Sequence, residues 1–418
     1  MSWSSLANNQ CVSASNLADA VATGVFAAKT TIPISGRELT SSAATSYAYV
    51  TTSGIASNQL VTKASLSAIN VGPGPLPYYV YGVDGNYMYQ SKNGGFTFAP
   101  YTALPFQGPN VYTVVAASST GQYLITASDT INNTYWVSTD YGANFYSHNI
   151  GNVGSGYNFN TFYPINADIS SSGQYMVIVG KTQPSSTLGQ VTIAVSSDYG
   201  ATFTAYYGAY QVSTASRASV AISQNSNLII YVAANSNNSW RYISTNYGSI
   251  FTYGGLSTNQ IFTDVCTSAT GQYILIVNKG TASTGTFFVS SNSGYSFTSR
   301  STAGGGEQCG MSSDGKFMQV GTFSGYDPYG INLGRQYSSS NFGVNWNTNG
   351  PIDGVIGIAI GNVGNPQTAN YWSLIQNYKY IDPNWNCVYT TNLGGTFYTQ
   401  PLTSGFIMNK IYRKAIAY

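Results

Sequence analysis

From residue 78 onward, short apolar, β-branched and aromatic runs alternate with segments of Ser, Gly and Asn, the pattern of strands separated by turns. Such runs fall at 111–118, 165–170, 217–223, 262–268, 307–312, 353–360 and 411–417. Four of them lead into one recurring turn: Ala117-Ser-Ser-Thr-Gly121-Gln-Tyr123, Ile169-Ser-Ser-Ser-Gly173-Gln-Tyr175, Thr267-Ser-Ala-Thr-Gly271-Gln-Tyr273 and Met311-Ser-Ser-Asp-Gly315-Lys-Phe317. A looser copy begins at Ile222 and passes through Asn227. Each turn opens a second β-rich run, so the local unit is a hairpin.

An eight-residue box, Ser/Thr-x-Asp/Asn-x-Gly-x-x-Phe/Trp, follows each hairpin. Its Asp or Asn stands at Asn93, Asp140, Asp198, Asn246, Asn292, Asn341 and Asn392. The first and last of these are 299 residues apart, a mean period of about 50, which suits one four-stranded propeller blade. The residue types explain themselves: Asp or Asn accepts backbone hydrogen bonds in a tight turn, Gly takes a positive φ, and the aromatic returns to the core. These positions are read as structural turns rather than as metal ligands or catalytic acids. Five of the seven are Asn, a poor acid and a poor ligand.

A blade therefore reads as strand A, Gly-Gln-Tyr turn, strand B, variable loop, strand C, box, strand D. Seven boxes and seven A-strand candidates agree in number, but the first box has no A strand before it and the run at 411–417 has no blade after it. The prediction is an all-β, seven-bladed β-propeller over 78–418, its ring closed by the C-terminal strand so that no sheet edge stays open. Residues 1–70 lack the repeat and hold the only helix-like stretches, at 15–22 and 39–48; they are read as a small, partly helical module for anchoring or assembly, or as a plug on the propeller. Residues 71–77, Val-Gly-Pro-Gly-Pro-Leu-Pro, read as a stiff linker.

Composition narrows the function. Only 7% of the 418 residues are charged, against about 25% in ordinary globular chains, while 14% are aromatic and 36 are Tyr. With a net charge of +2 there is no field to draw the chain to a phosphate backbone, so nucleic acid is not an expected partner. Four scattered cysteines and one histidine, His148, supply no zinc set, and neither metal nor cofactor is expected. No run of 18 apolar residues and no signal-peptide pattern occurs, so the expectation is of a chain that is neither exported by a leader nor membrane-spanning. A charge-poor surface suited to the outside, on a chain with no export signal, is expected of a virion component assembled in the host cytoplasm.

The Ser-x-Asp-x-Gly-x-x-Phe boxes resemble the Asp-box (BNR) repeats of sialidases, sortilin-type receptors and some glucanases. Paired with the Gly-Gln-Tyr turns in a Ser-, Thr-, Asn- and Tyr-rich chain, they are more similar to propellers encoded by bacteriophages and large viruses. A sialidase-like site would imply an arginine triad, a Tyr nucleophile with its Glu, and an Asp acid/base. The repeat region offers Arg217, Arg241, Arg300, Arg335 and Arg413 with the single glutamate Glu307, and the opening Arg-Ile-Pro motif is missing. Of Asp168, Asp264, Asp314, Asp327, Asp353 and Asp382, no spacing singles out a facing pair for glycoside hydrolysis. No catalytic residue is assigned, and His148 is read as a loop residue.

The positive case is binding. In a four-stranded meander the Gly-Gln-Tyr turns and boxes share one face, and the B–C and D–A connections share the other. Irregular loops are expected at 146–164, 181–190, 205–216, 322–336 and 377–386. They carry Tyr157, Phe159, Tyr206, Tyr207, Tyr210, Tyr326, Tyr329, Tyr378, Tyr380 and Trp385 among Asn, Ser and Gly, the mixture of rigid aromatic and adaptable polar groups found on recognition surfaces. The expected function is a virion spike or tail protein, a homo-oligomer joined to other virion proteins through residues 1–70, that binds a host-surface glycan or other receptor. Tyr326, Tyr329, Tyr378, Tyr380, Trp385, Tyr206, Tyr207 and Tyr210 are the expected contact residues. A purely architectural virion or surface-layer protein and a sialidase-like glycosidase are the alternatives.

Overall fold

Runs such as Met176-Val-Ile-Val, Ile229-Ile-Tyr-Val and Ile274-Leu-Ile-Val are apolar on both sides of the pleat, so a strand built from them needs cover on both faces. The computed structural model describes residues 80–83, 88–91, 99–101, 114–128, 134–150, 162–182, 190–207, 217–224, 227–234, 239–254, 260–280, 285–302, 305–326, 332–353, 355–363, 370–377, 386–390, 398–401 and 410–411. Every described element is a strand, and no helix occurs among the described residues. All of them belong to one unit, Pro77–Tyr418. The expectations for residues 1–70 and 71–77, and for the boxes at Asn93 and Asn392, lie outside the described residues.

The described strands form seven four-stranded antiparallel sheets. Sheet 1 holds Val80–Val83, Met88–Ser91 and Ala99–Pro100, with Lys410–Ile411 paired beside Val80–Val83 in the register Gly82 to Ile411. Sheets 2 to 7 are simple meanders whose first strands are Val114–Ala117, Phe162–Ile169, Arg217–Ile222, Phe262–Thr267, Gly305–Met311 and Val355–Val363. These first strands lie beside one another in succession, and Lys410–Ile411 comes within reach of those of sheets 7 and 2.

The core lies between the sheets, sorted by the period of two. In the second strand of sheet 3, Met176 and Ile178 face sheet 2, in a cluster with Leu124, Ile125 and Trp136, while Val177 and Val179 face sheet 4 with Val220 and Tyr231. Ile230 and Val232 then meet Ile274 and Ile276, and Leu275 and Val277 meet Met318 and Val320. In sheets 3, 4 and 5 the second strand thus supplies two apolar layers, and each of these sheets is packed between its neighbours.

Several expected loops prove to be strand. Tyr146–Asn149, which includes His148, is the outer strand of sheet 2, and Thr204–Tyr207 is that of sheet 3. Within the expected loop at 322–336, residues 322–326 belong to the strand Met318–Tyr326 and residues 332–336 to the strand Asn332–Ser339. The physical reason is that Tyr and Thr favour the extended chain and that each segment has a ladder partner, Ile193 for Tyr206, Thr192 for Tyr207 and Asn332 for Tyr326.

Candidate functional site

The two ends of the sheets are built differently. At one end lie the repeated turns. In the box around Asp140, the Ser138 hydroxyl donates to Asp140 Oδ1 at 2.8 Å and accepts from the Gly142 amide at 2.8 Å, while Asp140 Oδ1 also accepts from the Asn144 amide at 2.9 Å. Ser196 and Asp198, Ser244 and Asn246, Ser290 and Asn292, and Ser339 and Asn341 repeat the arrangement. Backbone and side-chain hydrogen bonds from Asn144 hold the Asp140 carboxyl below its ordinary value. At Asp198 burial pushes upward, but hydrogen bonds from Thr202 and Ser196 outweigh it and leave that carboxyl low as well. The five described boxes are thus turn devices whose Asp and Asn oxygens are already engaged.

The glycine is only half of the turn's conformation. Both central residues are left-handed, Tyr141 at φ 60° with Gly142 at 81°, and likewise Tyr199, Tyr247, Ser293 and Phe342 with the glycine that follows each. With the Ala143 amide donating to the Asp140 carbonyl at 3.1 Å, this is a mirror-image turn whose twist matches that of its strands. A Tyr or Phe there strains the backbone. The compensation comes from the neighbouring sheet: Tyr123, Tyr175 and Tyr273 of the Gly-Gln-Tyr turns stack on Tyr199, Tyr247 and Phe342 of the next box, with ring centroids 4.9, 4.5 and 4.9 Å apart. The signal for this ladder is present in the sequence as an aromatic at the fourth box position, and periodicity alone passes over it.

Each Gly-Gln-Tyr turn is fixed by a strand-end serine. Ser118, Ser170, Ser223, Ser268 and Ser312 accept from the amides of Tyr123, Tyr175, Leu228, Tyr273 and Phe317 at 2.9 to 3.1 Å, so the looser copy at Ser223 closes in the same way. The box then locks to the turn of its own sheet: the Tyr141 amide donates to the Gln122 carbonyl at 3.0 Å and the Tyr199 amide to that of Gln174 at 3.0 Å. Both kinds of turn therefore share one end, with their polar groups spent on one another.

At the opposite end, where the B–C and D–A connections leave, four first strands carry a register shift at the same place. It falls between Pro164 and Asn166, Phe262 and Asp264, Gly306 and Gln308, and Val355 and Gly357. Each leaves one extra residue, and a bulge of this kind re-aims a side chain. In sheet 6 that residue is Glu307, whose Oε2 accepts from Arg217 Nη1 at 2.6 Å. Arg217 begins the first strand of sheet 4, so the pair reaches past sheet 5. It is the only ion pair among the described residues, and both side chains are partly exposed.

Deeper on the same strands, two carboxylates join neighbouring sheets. Asp168 Oδ2 accepts from the Ile222 amide at 2.8 Å. Asp264, which is 1% exposed, accepts from the Ser219 hydroxyl at 2.7 Å and from the Cys309 amide at 2.8 Å. These carboxylates bind backbone and hydroxyl donors of the fold, a different task from facing each other across a sugar. Arg241 is buried, donates to the carbonyls of Gly254 at 3.2 Å and Gly294 at 3.1 Å, and lies over the Phe297 ring. His148 stacks on Tyr135. No cluster of three or more His, Cys, Asp or Glu placed to hold a metal occurs among the described residues.

Of the expected contact residues, Tyr206 is half-buried against the core between sheets 3 and 4, with Phe251 5.7 Å away. Tyr207 and Tyr326 are strand residues beside the long-loop end. Tyr210, Tyr329, Tyr378, Tyr380 and Trp385, with Tyr157 and Phe159, lie outside the described residues.

What the sheets define is a class: an all-β protein of four-stranded antiparallel sheets packed in succession, a β-propeller. No protein-family profile matches the chain, and no curated protein matches its sequence. Among solved structures it is similar to a GH74 xyloglucanase from Xanthomonas campestris, at 12% identity and a TM-score of 0.49 over 77% of this chain and 47% of that one. It thus spans about half the length of that enzyme. It is also similar to YCF48 bound to D1 peptide, at 11% identity and a TM-score of 0.45 over 78% and 91% of the two chains. A third similarity is to a TolB-type protein from Agrobacterium tumefaciens, at 14% identity and a TM-score of 0.42 over 66% and 90%.

Proposed function

We propose that the chain is a virion surface protein, a spike or tail component, that binds a host-cell receptor through the long-loop end of its propeller. In this reading the seven sheets are the seven blades of one ring of Asp-box type, and Lys410–Ile411 closes it beside Val80–Val83. Residues 1–70 join the propeller to other virion proteins and to further copies of the chain. The observation that carries the reading is the asymmetry of the two ends. The turn end consumes its polar groups in its own hydrogen bonds, whereas the other end carries the bulged strands, the Arg217–Glu307 pair and the connections that differ from sheet to sheet. Variable connections on a rigid scaffold are where binding commonly resides.

A glycan fits the chemistry of those connections. Tyr329, Tyr378, Tyr380 and Trp385, together with Tyr326, Tyr207 and Tyr210, supply rings for stacking on sugars, and Asn, Ser and Tyr hydroxyls supply hydrogen bonds. Such contacts need little charge and persist at high salt. Tyr206, half-buried, contributes by holding the outer strand of sheet 3 rather than by direct contact. Weak single sites would be compensated by many copies on one particle, since linked sites raise avidity by about 10²–10⁴ when geometry permits.

The test replaces Tyr329 and Trp385 by Ala and follows particle adsorption to host cells beside thermal stability. Loss of adsorption at unchanged stability supports the reading. Unchanged adsorption favours an architectural role, and loss on altering the turn end instead would move the site there.

A further inference from the structure

Four cysteines are scattered along the chain, and the fold brings two of them together. Cys266 is on the first strand of sheet 5 and Cys309 on that of sheet 6, strands that lie side by side. Cys266 is the ladder partner of Leu275, and the Cys309 sulfur lies 3.7 Å from the Leu275 carbonyl oxygen, so it occupies the rung on which Cys266 sits. Both thiols are free and buried. They share one apolar cluster with Val277, Phe287, Met318 and Val320. The backbone around the pair is fixed, since the Cys309 amide donates to Asp264 Oδ2 at 2.8 Å.

We propose that Cys266 and Cys309 are a cross-linking pair, joined by a disulfide between sheets 5 and 6 once the protein meets an oxidising environment. Two thiols buried in one apolar cluster on adjacent strands are placed to be joined, and the bond would close a loop of more than forty residues between the first strands of sheets 5 and 6. The oxidant is a small-molecule disulfide of the glutathione class. One cysteine, as thiolate, attacks a sulfur of that disulfide, forming a mixed disulfide and expelling one glutathione thiolate. The second cysteine then attacks the protein sulfur of the mixed disulfide and expels the other. The two thiol protons and the two electrons lost by the protein sulfurs end on the glutathione disulfide, which leaves as two molecules of glutathione. Cys266, 7% exposed, takes the first step, and Cys309, 0% exposed, resolves it. Burial, with the neighbouring Cys266 adding to it, also pushes the Cys309 thiol well above its ordinary value, so little Cys309 thiolate is present and the resolving step is slow. Cross-linking is therefore slow, and follows the local openings of the ring.

The full-length protein is incubated with glutathione disulfide, denatured, alkylated and mapped as peptides without reduction. The expected result is one cross-linked pair, Cys266 to Cys309, with a rise in Tm of about 5 °C over the reduced protein that disappears on reduction. Cys309→Ser and Cys266→Ser are each expected to lose both the link and the rise. The mapping on the unaltered protein stands even where a variant folds poorly. Recovery of both residues as free thiols or as separate glutathione adducts at every oxidant concentration would overturn the proposal. So would a link from either one to Cys11 or Cys387. A Cys266–Cys309 link without a rise in Tm would overturn its role as a staple.

Discussion

Gly173 gives the sharpest test of how neighbouring sheets are fitted together. It sits in a Gly-Gln-Tyr turn at φ 82°, and a Cβ placed on it would stand 2.1 Å from Cδ2 and 2.4 Å from Cγ of Tyr123 in the preceding sheet. Gly173→Ala therefore meets two separate penalties. The left-handed backbone costs about 1–2 kcal/mol for a residue with a Cβ. The clash drives the Tyr123 ring off Tyr199, its stacking partner at 4.9 Å, which forfeits about 0.5–1.5 kcal/mol more. The sum is about 1.5–3.5 kcal/mol, a large effect for adding one methyl group. A double-mutant cycle separates the terms: in a Tyr123→Ala background only the backbone penalty is left, so Gly173→Ala costs about 1–2 kcal/mol and the coupling is about 0.5–1.5 kcal/mol. Urea unfolding followed by intrinsic fluorescence measures all four proteins. Equal cost of Gly173→Ala in both backgrounds would refute the inter-sheet wedge and leave backbone strain alone. Gly315, whose added Cβ would stand 2.4 Å from Cδ2 of Tyr273, is expected to repeat the result.

Asp264→Ala leaves the Cys309 amide and the Ser219 hydroxyl without their acceptor in a buried site, and is expected to cost about 2–5 kcal/mol by the same urea assay; a loss below about 1 kcal/mol would show that water replaces the carboxylate. Asp140→Asn is expected within about 0.5 kcal/mol of the unaltered protein at pH 7, since Asn fills the same turn at 246, 292 and 341. The lowered Asp140 carboxyl contributes stability that is present above its unfolded value and is lost as pH falls through its folded one, so Tm measured between pH 7 and pH 2 should fall further for the unaltered protein than for this variant. Deleting residues 409–418 removes the strand paired with Val80–Val83 and is expected to lower the Tm of the whole propeller; an unchanged Tm would refute closure by the C-terminal strand.

The candidate site divides in the same way as the fold between what sequence carries and what contact between sheets creates. Asp140, Asp198, Asn246, Asn292 and Asn341 were legible as turn residues because the bonds that define them close within four residues of chain, as Ser138 to Asp140 and Asp140 to Asn144 show. The strand order was legible for a related reason: apolar runs of two-sided character, punctuated every 50 residues or so by turn residues, leave a meander few alternatives. His148 and Tyr206 were misplaced in loops because a strand near the end of its sheet is set by its ladder partner, and a Tyr in an irregular stretch does not announce one.

By itself, then, the sequence determined the repeated local units: the box and Gly-Gln-Tyr turns, the apolar strands beside them, and the period at which they recur. The tertiary structure decided everything that depends on a neighbouring sheet. Arg217 and Glu307 are 90 residues apart and meet only because their strands lie two sheets from each other, and Cys266 and Cys309 meet only because theirs are adjacent. Tyr123 finds Gly173 and Tyr199 by the same route. The physical reason is one of range: hydrogen bonds within a turn and the two-residue alternation of a strand act over a few residues and leave a pattern in the sequence, whereas packing between sheets couples positions about 40 to 90 residues apart through their facing side chains, and no local pattern records which positions those are.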